Sequence, residues 1–201
     1  KDPLEEFTYF MSDPRENSRN EGTPCGLENL GATCYMNAQL QVLYFNEKFR
    51  ANLFRWTSSE KEGRWNQITK HLQTLFVGLY SSRKRSLNPR QFVNALNLQT
   101  GIQQDAQEFN KLLMEQLEIL FKTSSLQCVR DFIPNQFCGK IQYTMRCVVC
   151  GTESHRKESF LELNVPIEKG DDIEKCVGKL YAIEYFENSN KYMCSVCNKK
   201  Q

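Results

Sequence analysis

The chain has 201 residues, enough for one large domain or two small ones. Its 40% hydrophobic and 25% charged content is that of a globular protein, and a formal net charge of +2 supplies no drive toward nucleic acid or an anionic membrane. No apolar run has spanning length and no secretory h-region opens the sequence, so the expectation is a soluble, intracellular protein, nuclear or cytoplasmic.

Lys1 to Pro24 is polar and turn-rich, an arm with one apolar patch at Phe7-Thr8-Tyr9-Phe10. Met36, Leu40, Leu43 and Tyr44 recur at helical spacing, which predicts a helix from Cys34 to about Phe45. A second helix is predicted from Arg64 to Ser81, with Trp65, Ile68, Leu72, Leu75, Phe76 and Leu79 on one stripe. The basic run Ser81 to Arg90 reads as a solvated loop. Asn88-Pro89 is a helix start, Asn as cap and Pro at the first helical position, for a short helix carrying Phe92, Val93 and Leu96. Gly101 breaks the chain. A fourth helix is predicted from about Asp105 to Phe121, its apolar face formed by Phe109, Leu112, Leu113, Leu117, Leu120 and Phe121.

Beyond Ser124 the period changes to two. Phe137, Ile141, Tyr143 and Met145 predict a strand within Gln136 to Cys147, and Leu161, Leu163 and Val165 predict another over Phe160 to Ile167. Asp171 or Asp172 caps a predicted helix through Ile173, Cys176, Val177 and Leu180. Helices first and strands last make an α+β layout of two subdomains.

Nine cysteines include two C-x-x-C pairs, Cys147/Cys150 and Cys194/Cys197. An odd total and no signal peptide argue against a disulfide framework. Two thiolates from one tight turn reach one ion, and a second such turn completes a tetrahedral S₄ site, so a structural Zn²⁺ is expected. Gly151 and Asn198 follow the pairs and tolerate the positive φ that a chain folding back past a metal needs. Reduced buried thiols, or a redox C-x-x-C, are the alternatives; the strand-to-helix start that a redox pair needs is missing. His155 is near enough in sequence to compete, but four sulfurs already fill the site.

Cys34 stands where "GLENLGAT" runs into a helix. A helix N-terminus favours a thiolate, Gly31-Ala32-Thr33 keeps bulk away, and Asn29 brings an amide donor, so the segment has the parts of a nucleophile with an oxyanion hole. The plainer reading is a packed cysteine in a first helical turn, with Asn29 and Gly31 as turn residues. From residue types alone the two readings stand level.

"GLENLGATCYMNAQLQVLY" resembles the cysteine box of the ubiquitin-specific proteases. "TGIQQDAQEF" at Thr100 to Phe109 is similar to that family's second motif, usually of Q-Q-D-A-x-E-F form, and "QFCGKIQYTMRCVVCG" with "YMCSVCNKK" is similar to its zinc-bearing fingers. Order and spacing agree from about residue 25 to 201. The resemblance implies a papain-like right-hand fold: an arm over 1–24, a helical thumb over 25–125 and β fingers with a zinc ribbon over 126–201. It implies ubiquitin and ubiquitinated proteins as partners, with hydrolysis of the isopeptide bond after ubiquitin's C-terminal glycine. Cys34 is then the nucleophile and Asn29 the oxyanion donor. Gln103, Asp105 and Gln107 fall where the family contacts the ubiquitin tail. Asp105 is also a candidate N-cap with Glu108 as capping-box partner. Tyr35, Asn37 and Gln41 match the box too, Asn37 and Gln41 on the helical face of Cys34.

The chain departs from the family at the general base. The family takes it from a C-terminal palm motif with His, then Asp or Asn. Of the two histidines, His71 lies mid-helix and His155 in the fingers, neither in such a motif. The sequence stops four residues after Cys197, before the strand expected to complete the ribbon. The reading is therefore the N-terminal part of a catalytic domain with an incomplete palm, without efficient hydrolysis alone. The competing readings are a non-catalytic ubiquitin-binding scaffold on the same fold, and a zinc-ribbon interaction module joined to an unrelated helical domain.

Overall fold

The computed structural model describes residues 17–57 and 63–201; the apolar patch expected at Phe7 to Phe10 lies outside them. The chain forms two compact units, one ending at Gln136 and the other running from Phe137 to Gln201. No helix among the described residues is long and apolar enough to cross a membrane.

The first unit is helical. Helix α1 (Cys34–Phe45) buries Tyr35, Met36, Leu40, Leu43 and Tyr44, the spacing read from the sequence. Asn46 ends it and begins α2 (Glu47–Arg55): its N–H closes on the Val42 carbonyl, and its side chain accepts the Phe49 N–H at 3.0 Å. The sequence reading missed α2, although an Asn cap, Glu47 in the first turn and Phe49, Leu53 and Trp56 at helical spacing were there to be read. Helix α3 (Arg64–Ser81) buries Ile68, Leu72, Leu75, Phe76 and Leu79 as expected, while Trp65 is only half-buried. The rings of Phe76, Tyr44, Phe49 and Phe132 meet at centroid distances of 5.5–6.2 Å, forming the aromatic centre of the core.

Two short strands, β1 (Gly26–Leu27) and β2 (Ser86–Leu87), pair in parallel. Helix α4 spans Arg90–Ala95, one residue later than predicted: Pro89 is the cap by position, and the Asn88 side chain accepts the Arg90 N–H at 3.0 Å. Helix α5 (Ala106–Phe121) buries Phe109, Leu113, Leu117 and Phe121 of the predicted stripe, while Leu120 is only half-buried. Leu112 is exposed and Met114 is buried in its place, because Met114 continues the face of Phe109, Leu113, Leu117 and Phe121. Trp56 donates its indole N–H to the Leu120 carbonyl at 3.2 Å, tying the end of α2 to α5. Short helices α6 (Gln127–Arg130) and α7 (Phe132–Phe137) follow, so the predicted strand begins only after them.

In the second unit β3 (Gly139–Arg146) pairs antiparallel with β4 (Glu153–Phe160), in register from Gly139 opposite Phe160 to Arg146 opposite Glu153. The strand predicted over Phe160 to Ile167 is not formed; only Phe160 is extended, and 161–167 is irregular. Those residues alternate in polarity but find no ladder, and Pro166 lacks the N–H to join one. The true partner, β4, is polar from Glu153 to Ser159, apolar only at its last residue Phe160, and carried no such signal. Helix α8 (Ile173–Leu180) is capped by Asp172, which accepts the Lys175 N–H at 2.8 Å. A last hairpin pairs β5 (Met193–Cys194) with β6 (Lys199–Lys200). Gln201 and Tyr192 then exchange two backbone hydrogen bonds of 2.9 and 3.1 Å, so the return strand expected to be missing has begun within the chain.

Candidate catalytic cysteine and metal centre

Cys34 is the first residue of α1, and its thiol is exposed. The first-turn N–H groups of a helix have no intrahelical acceptor. Here no side chain caps them and no acidic residue lies in the first turn. Thr33 occupies the cap position but spends its hydroxyl backwards, donating to Asn29 Oδ1 and accepting the Leu30 N–H, both at 3.0 Å. The Thr33 N–H also reaches Asn29 Oδ1, at 3.2 Å. Asn29 is exposed, and its Nδ2 makes no hydrogen bond among the described residues.

The loop before the cysteine is fixed from three sides. Gly26 N–H and Glu28 N–H donate to the Arg85 and Leu87 carbonyls at 2.8 and 2.9 Å, extending the β1–β2 pairing. From α1, Asn37 Nδ2 reaches the Glu28 carbonyl at 3.0 Å and Gln41 Nε2 the Cys25 carbonyl at 3.1 Å. These two box residues therefore hold the incoming strand. Finally, Ala32 N–H donates to the Thr100 carbonyl at 2.6 Å, so the cysteine box is bonded to the first residue of the second motif.

Gly31 makes that approach possible. Its φ is +122°, and a Cβ placed on it would lie 2.5 Å from the Thr100 oxygen. Gly31→Ala therefore costs about 2 kcal/mol from backbone strain and collision together. A thermal melt of the variant checks this, with a midpoint several degrees lower expected.

The second motif packs on α1 directly. Tyr35 and Phe109 meet edge to face at 5.5 Å, and Gln39 Nε2 donates to Asn110 Oδ1 at 2.7 Å. Asp105 caps α5, one oxygen accepting the N–H groups of Gln107 (2.7 Å) and Glu108 (3.0 Å). Gln103, Asp105 and Gln107 are all exposed, on the stretch that leads from Thr100 into α5. A concave pocket of the first unit lies elsewhere. It is lined by residues 18–25 with Tyr44, Phe45, Leu79 and Arg83, at the far end of α1, about 16 Å along the helix from Cys34.

Neither histidine belongs to this cluster by sequence or element. His71 is half-buried in the middle of α3, and His155 lies on exposed β4, its Nδ1 3.1 Å from the Thr144 hydroxyl.

In the second unit the β3–β4 turn and the β5–β6 turn each present a C-x-x-C. The sulfurs of Cys147, Cys150, Cys194 and Cys197 all lie within 4.8 Å of one another. Cys147 and Cys197 are 3.9 Å apart and Cys150 and Cys194 3.6 Å. Tetrahedral Zn–S bonds of about 2.3 Å require sulfurs about 3.8 Å apart, so the donor set fits a Zn²⁺ ion. Gly151 (φ 72°) and Asn198 (φ 51°) take the positive φ read from the sequence. Each turn is closed by a 2.8 Å backbone bond, Gly151 N–H to the Cys147 carbonyl and Asn198 N–H to the Cys194 carbonyl. As free thiols Cys150 and Cys197 hold their protons unequally. The Thr152 hydroxyl and backbone bring Cys150 down to about 6, whereas the Cys150 sulfur beside it pushes Cys197 up to about 12. An ion that takes all four as thiolates binds with proton release.

A family model described as ubiquitin carboxyl-terminal hydrolase matches residues 25–197. Over 206 residues the chain is 37% identical to a Danio rerio protein named ubiquitin carboxyl-terminal hydrolase 48, covering 98% of this chain and 20% of that protein. A Gallus gallus protein of the same name is 37% identical over 203 residues, with 96% and 20% covered. An Arabidopsis thaliana protein named ubiquitin carboxyl-terminal hydrolase 26 is 32% identical over 190 residues, with 92% and 18% covered. The chain thus spans about a fifth of the length of the curated relatives it matches.

Proposed function

We propose, because the chain belongs to the ubiquitin carboxyl-terminal hydrolase family, that it carries the nucleophile half of a thiol isopeptidase acting on ubiquitin and ubiquitinated proteins. The observation that carries this reading is the exposed thiol of Cys34 at an uncapped helix start, in a loop bonded to Thr100. The thiolate attacks the carbonyl of ubiquitin's C-terminal glycine. The Cys34 N–H and Asn29 Nδ2 receive the oxyanion, and the lysine amine leaves on gaining a proton. Water then hydrolyses the thioester and frees the ubiquitin carboxylate. Gln103, Asp105 and Gln107 bind the extended tail, Asp105 with the carboxylate oxygen that the α5 cap leaves over.

In this reading the first unit is the thumb and the second the fingers, with Zn²⁺ held by Cys147, Cys150, Cys194 and Cys197 as a structural ion. The base that takes the Cys34 proton is read as a histidine of a palm segment not among these residues, since His71 and His155 sit in no matching motif. A ubiquitin bearing a C-terminal electrophile tests the reading: joined to a His-bearing palm, the chain forms a covalent adduct at Cys34, found by peptide mass mapping. A second reading keeps the same fold as a ubiquitin-binding scaffold. That reading gains if the folded protein binds ubiquitin but forms no adduct.

A further inference from the structure

We propose that Thr33 is a positioning residue that decides which end of the Asn29 carboxamide faces the reacting carbonyl. The inference rests on the reading of Asn29 as oxyanion donor. Thr33 is only 1% exposed; its carbonyl accepts the Asn37 N–H at 3.0 Å, but its side chain makes no capping hydrogen bond to α1. All its polar atoms near the loop are instead committed to Asn29 and Leu30.

The two ends of a carboxamide have nearly the same shape but opposite polarity. One stabilises an oxyanion and the other repels it. On an exposed loop an asparagine is free to present either. Here the Thr33 backbone N–H breaks the tie. It can only donate, so the atom 3.2 Å away must be the Asn29 oxygen. Turning the amide over would set its NH₂ group against that N–H. The Thr33 hydroxyl adds a second anchor at 3.0 Å on the same oxygen, and it is held in that role because its lone pair accepts the Leu30 N–H. With Oδ1 doubly bound, Nδ2 is the end left to receive the oxyanion. The group is preorganised, so no reorientation is needed as charge develops.

The experiment is turnover of a ubiquitin C-terminal fluorogenic amide by the protein with its complete catalytic domain. Removing an oxyanion donor outright costs on the order of 10²–10³ in kcat. Thr33→Val removes one of two anchors, so a fall of about tenfold in kcat is expected with KM within about twofold. Thr33→Ser keeps the hydroxyl and stays within about twofold of wild type. In an Asn29→Ala background Thr33→Val has no further effect on kcat, because there is no amide left to orient. A ubiquitin with a C-terminal alkyl halide reads substrate binding and thiolate reactivity separately. Sulfur displaces halide to give a thioether, no oxyanion forms, and Thr33→Val labels Cys34 as fast as wild type.

The proposal is overturned if Thr33→Val turns over as wild type does, or loses the same factor with Asn29 absent. A serine variant that is itself inactive also overturns it, and this arm needs no folded valine variant. A wild-type protein that neither turns over nor is labelled removes the hydrolase reading and this inference together; an active wild type with an indifferent valine variant removes this inference alone.

Discussion

In the proposed hydrolase, with its catalytic domain complete, replacing Cys34 by alanine is expected to take hydrolysis of ubiquitin conjugates to background, a fall on the order of a millionfold for loss of a covalent nucleophile. The side chain is exposed, so its sulfur contributes little to the core, and the variant keeps the wild-type melting temperature. Affinity for ubiquitin is expected to stay within about threefold, since the proposed tail contacts are made by groups other than the sulfur. Steady-state kinetics beside calorimetric binding separate the two quantities. An alanine variant that still turned over would move the nucleophile to another of the nine cysteines. Cys25 is a poor substitute: it is buried, and that burial raises its thiol above the usual range.

The second large effect is on the metal. In residues 137–201 the buried apolar side chains are Cys147, Cys176 and Cys194. Two of the three are ligands of the proposed ion, so this unit has almost no hydrophobic core to fall back on. Structural zinc supplies on the order of 10 kcal/mol of folding free energy. Cys194→Ala, or a strong chelator, is therefore expected to unfold the two hairpins while leaving the first unit intact. The first unit has its own core in Leu40, Leu72, Phe76 and Leu117. Metal analysis should give one zinc per wild-type chain and none in the variant, and limited proteolysis should cut within 137–201 only. Hairpins that stay protected in metal-free protein would defeat the structural role.

What the sequence disclosed follows from where side chains are buried. Helices α1, α3 and α5 were legible because each has one dry face, and the capping role of Asp105 was legible because its type and position suffice. The four-cysteine cluster was legible because ligand spacing is a local property. Strand β4 was not, since Glu153 to Ser159 face solvent or are only half-covered and periodicity records burial, not pairing. Helix α2 was hidden by Asn46, which reads as a stop when it is also a start. At the candidate site, the cysteine box was readable as a string, but the bond from Ala32 to Thr100 was not. Nor was the use of Thr33, a residue whose type predicts a helix cap and whose hydroxyl serves the loop instead.

The Ala32–Thr100 bond also has a consequence in time. Its partners are 68 residues apart in the chain, and the parallel pairing of Gly26 with Ser86 spans 60. Closing such long intervals is entropically costly and is deferred until local helices have formed. During synthesis the turn that carries the thiol cannot take its working shape before residue 100 has left the ribosome. The nascent chain therefore emerges with Cys34 on an unformed turn, and the exposed helix start proposed as the site of chemistry arrives only with the folding of the helical half.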